Sequence, residues 1–215
     1  MMANLAHVAQ RRKILREATK YGSDFELWEE SCVPSYCHPN PLAAYVSWLR
    51  LYAAAAMARR FKRGAARALD FGSSVGELAH LLPKETRYEF IEMHEPAAKF
   101  LSDQLPHAKR VTLEGAQDGA YDVIFAIDSL EHNDNYRELL GALVGKLAPG
   151  GVLILSGPTE SWLYRLGRKI ARFDGHYHET NIHAIEQEAA RLLKRRAVRQ
   201  IFPGATLFRI TAWQA

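Results

Sequence analysis

The stretch ALDFGSSVGELAHLL, residues 68–82, brings Asp70, Gly72, Ser73, Ser74 and Gly76 together at the end of a short apolar run. A strand that runs into a turn of glycines and serines offers its backbone N–H groups to a ligand, because little side chain stands in the way. The complement to such a turn is an acidic residue at the end of the next strand, roughly 20 residues on, which accepts both hydroxyls of a ribose. Glu92 closes RYEFIE (87–92) at that distance from Gly72. Asp70 would repel a diphosphate and favour a nearby cationic amine. Together these residue types suit an adenosine ligand that carries a positive amine in place of a pyrophosphate.

A second group lies in YDVIFAIDSLEHNDN (121–135), where Ile127 and Asp128 leave an apolar run and Glu131 and His132 follow. An unperturbed histidine titrates near neutrality, so His132 is the candidate general base, with Glu131 beside it. Asp128, Glu131 and His132 stand at i, i+3 and i+4 and would share one face if the turn were helical. They do not make the all-oxygen set that Mg²⁺ prefers, so no metal is expected and Mg²⁺ at these three is the lesser reading. Further on, GPTESWLYRLGRKIARFDGHYHETNIHAI (157–185) concentrates Trp162, Tyr164, His176, Tyr177 and His178. His176 and His178 lack a convincing third ligand for zinc, so these residues read as substrate contacts. The segment 157–182 is expected to form a lid over the site. Its basic, bulky portion at 161–173 also suits peripheral contact with an anionic membrane, although Gly167 interrupts it.

Holding these groups in place requires a sheet. RALDF (67–71), RYEFIE (87–92), KRVTLE (109–114), YDVIFAI (121–127) and GGVLILS (150–156) read as buried strands. Between them GELAHLL (76–82), EPAAKFLSDQL (95–105) and NYRELLGALVGKL (135–147) have helical spacing of apolar positions. The alternation predicts an α/β fold whose parallel sheet is covered by helices on both faces. A helix near 183–195 precedes AVRQIFPGATLFRITAW (197–213), which reads as two β runs around Pro203-Gly204, an antiparallel pair closing one edge. Residues 1–60 read as a helical cap on the same domain as 61–215, and SYCHPNPLAAY (35–45) would bring Tyr36 or His38 over the mouth.

Composition agrees with one folded unit. The 215 residues are 48% apolar and 24% charged, which argues against disorder. The longest apolar run, 51–58, falls well short of a bilayer span, and the N-terminal stretch lacks the apolar centre of a secretory signal. Two cysteines, Cys32 and Cys37, make neither a disulfide framework nor a metal set, so a cytoplasmic protein is expected, as monomer or homodimer. The net charge of +4 gathers at 59–67, 165–172 and 191–199 and permits anionic partners without choosing among them.

Three segments resemble the class I S-adenosylmethionine-dependent methyltransferases. LDFGSSVGELA is similar to their first motif, D-x-G-x-G-x-G, with Ser74 in place of the central glycine. YDVIFAIDSLEHNDN resembles their fourth-strand segment, and LVGKLAPGGVLILSGP their helix, Pro-Gly-Gly turn and fifth strand. The Asp-x-x-Glu-His spacing is similar to small-molecule enzymes of the ubiquinone-biosynthesis type, in which that constellation holds magnesium.

The resemblance implies a Rossmann-like methyltransferase fold: a mostly parallel seven-stranded sheet with helices on both faces, an antiparallel C-terminal strand and an N-terminal helical cap. It implies S-adenosylmethionine as cofactor and S-adenosylhomocysteine as product. Gly72, Ser73, Ser74 and Gly76 would surround the methionine part, with Asp70 near its amino group. Glu92 would hold the ribose, Met93 would pack on the adenine, and Ile127 and Asp128 would flank the methyl donor. Glu114, Ala116, Gln117 and Asp118 compete to read the adenine amino group. The expected activity is methyl transfer to a small-molecule acceptor, at oxygen, the acceptor being lipophilic or anionic. An RNA methyltransferase and a non-catalytic S-adenosylmethionine-binding protein are the alternatives, the former without any RNA-reading module in the sequence.

Overall fold

In the computed structural model the structure describes residues 4–20, 25–28, 31–159, 180–201 and 207–215. Strands β1 (Arg67–Phe71), β2 (Arg87–Ile91), β3 (Lys109–Arg110), β4 (Tyr121–Ile127), β5 (Leu147–Pro158), β6 (Lys194–Ile201) and β7 (Phe208–Gln214) form one sheet in the order β3-β2-β1-β4-β5-β7-β6. β1 to β5 pair in parallel, and β7 runs antiparallel to both β5 and β6. The seven-stranded, mostly parallel α/β sheet with an antiparallel C-terminal pair is the fold expected from the sequence.

The central strands β1, β2, β4 and β5 are buried on both sides, and their side chains alternate between two cores. Val123, Phe125 and Ile127 of β4 face one apolar cluster, while Ile124 and Ala126 face the other. The first cluster is covered by α1 (Leu5–Ala18), α4 (Pro41–Phe61) and α5 (Glu95–Gln104), through Leu15, Trp48, Leu51, Ala97 and Leu101. The second is covered by α6 (Tyr136–Lys146) and α7 (Ile182–Leu192), through Leu140, Leu143 and Ile185. Two short helices, α2 (Phe25–Trp28) and α3 (Val33–Tyr36), connect α1 to α4.

Local chemistry sets the helix starts. Asn4, Asn40 and Asn181 each accept backbone N–H groups of the first turn on their side-chain oxygens, and Pro41 occupies the first turn of α4. Among the described residues no helix is long and apolar enough to cross a membrane.

Three elements differ from the sequence reading. GELAHLL does not form an α-helix; only a 3-10 turn at Ala79–Leu81 follows the glycine turn. Six residues separate Gly76 from Pro83, too few to repay helix nucleation before proline disfavours the helical conformation. KRVTLE pairs over Lys109 and Arg110 alone, because Thr112 turns the chain, its side chain accepting from Gly115 N–H and its carbonyl from Ala116 N–H. The last helix stops at Leu192, where Leu193 adopts an extended backbone and the chain enters β6.

Candidate active site

The sheet order places β1 centrally: the chain runs outward through β2 and β3, then returns to β4 on the other side of β1. That reversal opens a crevice at the carboxyl ends of β1 and β4, the usual ligand position in open α/β sheets. The loops after the two strands touch there. A Cβ added to Gly72 would lie 2.4 Å from the Ser129 Cβ, and one added to Gly76 would lie 2.6 Å from Leu101 of α5. Both glycines, with φ of 71° and 77°, are therefore required by backbone and by space.

Ser74 also has a positive φ, 49°, so the central position of the turn keeps the left-handed backbone that glycine prefers. Its N–H donates to Glu92 Oε2 at 2.6 Å, and the other oxygen of Glu92 accepts from His94 N–H at 2.8 Å. Glu92 thus stands half-buried against the turn, with lone pairs remaining on both oxygens. Met93 projects beyond it and is 88% exposed.

Asp70 is buried and accepts from the Tyr88 hydroxyl at 2.5 Å. Burial raises its pKa to about 7; the Tyr88 bond works the other way, and Glu92 adds to the rise. Ser73 Oγ and Ser129 Oγ, one in each loop, are buried and have no hydrogen-bond partner among the described residues. Two unpaired hydroxyls, a glycine turn with no room for a Cβ and a carboxylate with spare acceptors fit a polar ligand with donors and acceptors of its own.

On the β4 side, buried Ile127 ends the strand and Asp128 follows with φ 51°, a left-handed value that aspartate tolerates better than most side chains. Its carboxylate is held from two directions. Ser156 Oγ donates to Oδ1 at 2.9 Å, and Arg50 of α4 pairs with Oδ2. Leu130–His132 is a 3-10 turn, with Glu131 fully buried and His132 exposed. The triple Asp128, Glu131 and His132 is therefore not gathered on one face, and no group of three such ligands comes together among the described residues. The i, i+4 argument fails because a 3-10 turn does not have the α-helical period.

The cap closes over this crevice. Cys32 N–H donates to Ser74 Oγ at 3.3 Å, and Tyr36 lies in hydrogen-bond contact with Arg50. Phe208 of β7 stacks under the Arg50 guanidinium at 4.8 Å. Burial acts to lower the Arg50 pKa, but the Asp128 carboxylate, with Tyr36 and Cys32 adding to it, raises it further and holds the group more firmly cationic than usual. Tyr36 was expected at the mouth; His38 instead uses Nδ1 to accept from Asn40 N–H.

Arg50, Tyr88 and Phe208 were not anticipated. A lone arginine within the apolar run of α4 was the available sign, since a charge on a buried face needs a buried partner. Of the adenine candidates, Gln117 and Asp118 are engaged by Arg67 and Lys146, Ala116 is buried and Glu114 is exposed. Trp162, Tyr164, His176, Tyr177 and His178 lie outside the described residues. A hollow of about 590 Å³ beside His80, Arg87 and His107 lies at the opposite ends of the strands and belongs to a different part of the surface.

Residues 45–205 match the family described as "Methyltransferase domain". The chain belongs to the methyltransferase-domain family. Solved structures share its fold. The N-methyltransferase NodS from Bradyrhizobium japonicum WM9, in complex with S-adenosyl-l-homocysteine, is 14% identical with a TM-score of 0.63, over 94% of this chain and 96% of that one. The PH0226 protein from Pyrococcus horikoshii OT3 is 13% identical with a TM-score of 0.68, over 88% and 98%. A SAM dependent methyltransferase from Archaeoglobus fulgidus is 17% identical with a TM-score of 0.59, over 77% and 94%. No curated protein matches by sequence. Family membership makes this chain an S-adenosylmethionine-dependent methyltransferase, and the crevice between β1 and β4 is its candidate cofactor site.

Proposed function

We propose that this methyltransferase transfers the methyl group of S-adenosylmethionine to an oxygen of a small-molecule acceptor that enters beneath the cap. The observation that carries the reading is the meeting of the Gly72 loop, Glu92 and the Asp128 loop at one switch point. Gly72, Ser73, Ser74 and Gly76 surround the methionine part, with the Ser73 hydroxyl as the group that bonds it. Asp70, once ionised, holds the ammonium. Glu92 accepts from the ribose hydroxyls on its spare lone pairs, Met93 covers the adenine, and Ile127 and Asp128 border the methyl group. When bound, S-adenosylmethionine supplies a methyl carbon already activated by its sulfonium.

The protein then has to align an acceptor atom about 3 Å from that carbon and remove its proton. His132, exposed on the turn after Asp128, is the group we assign to take the proton. Glu131, enclosed behind it, positions the turn. The acceptor contacts are assigned to Trp162, Tyr164, His176, Tyr177 and His178, between β5 and α7. We place the enzyme in the cytoplasm, with cap and sheet acting as one domain. An RNA substrate is less favoured because basic residues of two clusters are already paired: Lys62 with Asp122, Arg67 with Glu89, Arg191 with Glu188 and Arg195 with Glu186.

The test is transfer of a labelled methyl group to matched phenol and aniline acceptors, by wild type and by His132→Ala. Label on the phenol, slowed by His132→Ala with unchanged S-adenosylhomocysteine affinity, is expected. Label on the aniline alone would overturn the oxygen assignment, and undiminished turnover would remove His132 as the base.

A further inference from the structure

Arg50 is a charge in an unusual place. Its side chain is 4% exposed, on the apolar helix α4, and its Nε is buried with no acceptor among the described residues. One carboxylate, that of Asp128, and the Tyr36 phenol face the other guanidinium nitrogens. A guanidinium has five donors in a planar fork, so this one is under-satisfied, and an unmade buried hydrogen bond is costly. Phe208 covers one face of the plane, which leaves the rim as the direction for a further partner. Around it stand Tyr36, Cys32 and Phe208, all uncharged; burial pushes the Cys32 thiol up to about 11 and keeps it neutral.

The charge balance changes when the site fills. On the proposed function, on which this inference rests, a sulfonium arrives beside Asp128. It then draws on the Asp128 carboxylate that Arg50 holds, which leaves the Arg50 fork short of an acceptor in a water-poor crevice. An anion on the acceptor resolves this, by taking the Arg50 fork while Asp128 turns to the donor. A planar anion suits a fork with one face covered.

We propose that Arg50 is the acceptor-recognition residue of this methyltransferase, and that the acceptor is a small carboxylic acid on an apolar or aromatic frame, held edge-on by the Arg50 guanidinium in exchange for Asp128. Arg50 then sets which molecules are methylated, and the cap that carries it is the specificity element of the enzyme.

The probes are benzoate, benzamide and inorganic phosphate, titrated by calorimetry against the full chain with and without saturating S-adenosylhomocysteine. Wild type is expected to bind benzoate at least about tenfold more tightly than benzamide, as a charged hydrogen-bonded pair allows. Arg50→Gln is expected to abolish that preference, and Arg50→Lys, which loses the planar fork, to reduce it. The double variant Arg50→Gln/Asp128→Asn leaves no buried charge unpaired and provides a folded comparison if the single variant is unstable. Equal binding of benzoate and benzamide by wild type, or a preference that survives loss of Arg50, would overturn the proposal. Phosphate binding tighter than benzoate with the same Arg50 dependence would overturn the carboxylate assignment. Failure of S-adenosylhomocysteine to bind would fell the cofactor reading alone, since the arms without it still report on Arg50.

Discussion

Asp70 ends β1 inside the protein, and burial leaves it with a pKa of about 7, well above the ordinary 3.8. A carboxylate shifted upward favours its protonated form in the folded state. Its contribution to stability is therefore complete below about pH 4 and is lost as pH rises through about 7. Binding of a cationic amine runs in the opposite sense, because only the ionised form attracts it. S-adenosylhomocysteine affinity is thus expected to rise as pH is taken through about 7, while thermal stability of the free enzyme falls relative to Asp70→Asn over the same interval. Calorimetry and thermal melts of the two proteins check both trends. An affinity with the same pH dependence in Asp70→Asn would detach Asp70 from the ligand. At this scale the sequence was informative where a residue acts through its own position: Gly72, Gly76, Asp70 and Glu92 sit where their spacing indicated. It was silent on Tyr88 and Phe208, whose parts depend on the fold setting β2 beside Asp70 and β7 beside Arg50.

Between elements, α1 is attached to the cofactor turn by a buried, two-pronged ion pair. Arg11 Nε and Nη2 donate to the two oxygens of Glu77 at 2.9 and 2.7 Å, one residue beyond Gly76. Breaking such a pair from one side leaves an uncompensated charge. Arg11→Ala is expected to cost about 3–5 kcal/mol of stability, and the double change Arg11→Met/Glu77→Leu to recover most of it. Denaturant unfolding measures both; a cost below about 1 kcal/mol for the single variant would place the pair among the weak surface bridges. The same pair explains why GELAHLL was misread. Its apolar periodicity is helical, but Pro83 ends the segment early and Glu77 is drawn toward α1, a pull from 66 residues away that the local pattern does not show. Strands β1 and β4 were legible to the residue because continuous apolar runs buried on both faces have no competing reading at that length. KRVTLE reads as a buried strand, yet the edge strand β3 keeps two of its residues and both are exposed.

At the scale of the whole molecule, one sheet, two apolar layers and a cap converge on the crevice between β1 and β4. The cap supplies Cys32, Tyr36 and Arg50 to that crevice, so on the proposed function cofactor binding and acceptor choice depend on the same cap. The most direct test is calorimetric titration of the full chain with S-adenosylhomocysteine and, separately, with NAD, using wild type and Glu92→Ala. S-adenosylhomocysteine is expected to bind wild type, NAD to give no measurable heat, and Glu92→Ala to weaken the former by about 1–3 kcal/mol through loss of charged hydrogen bonds. Preferential binding of NAD, or an unchanged S-adenosylhomocysteine affinity in a folded Glu92→Ala protein, would contradict the account.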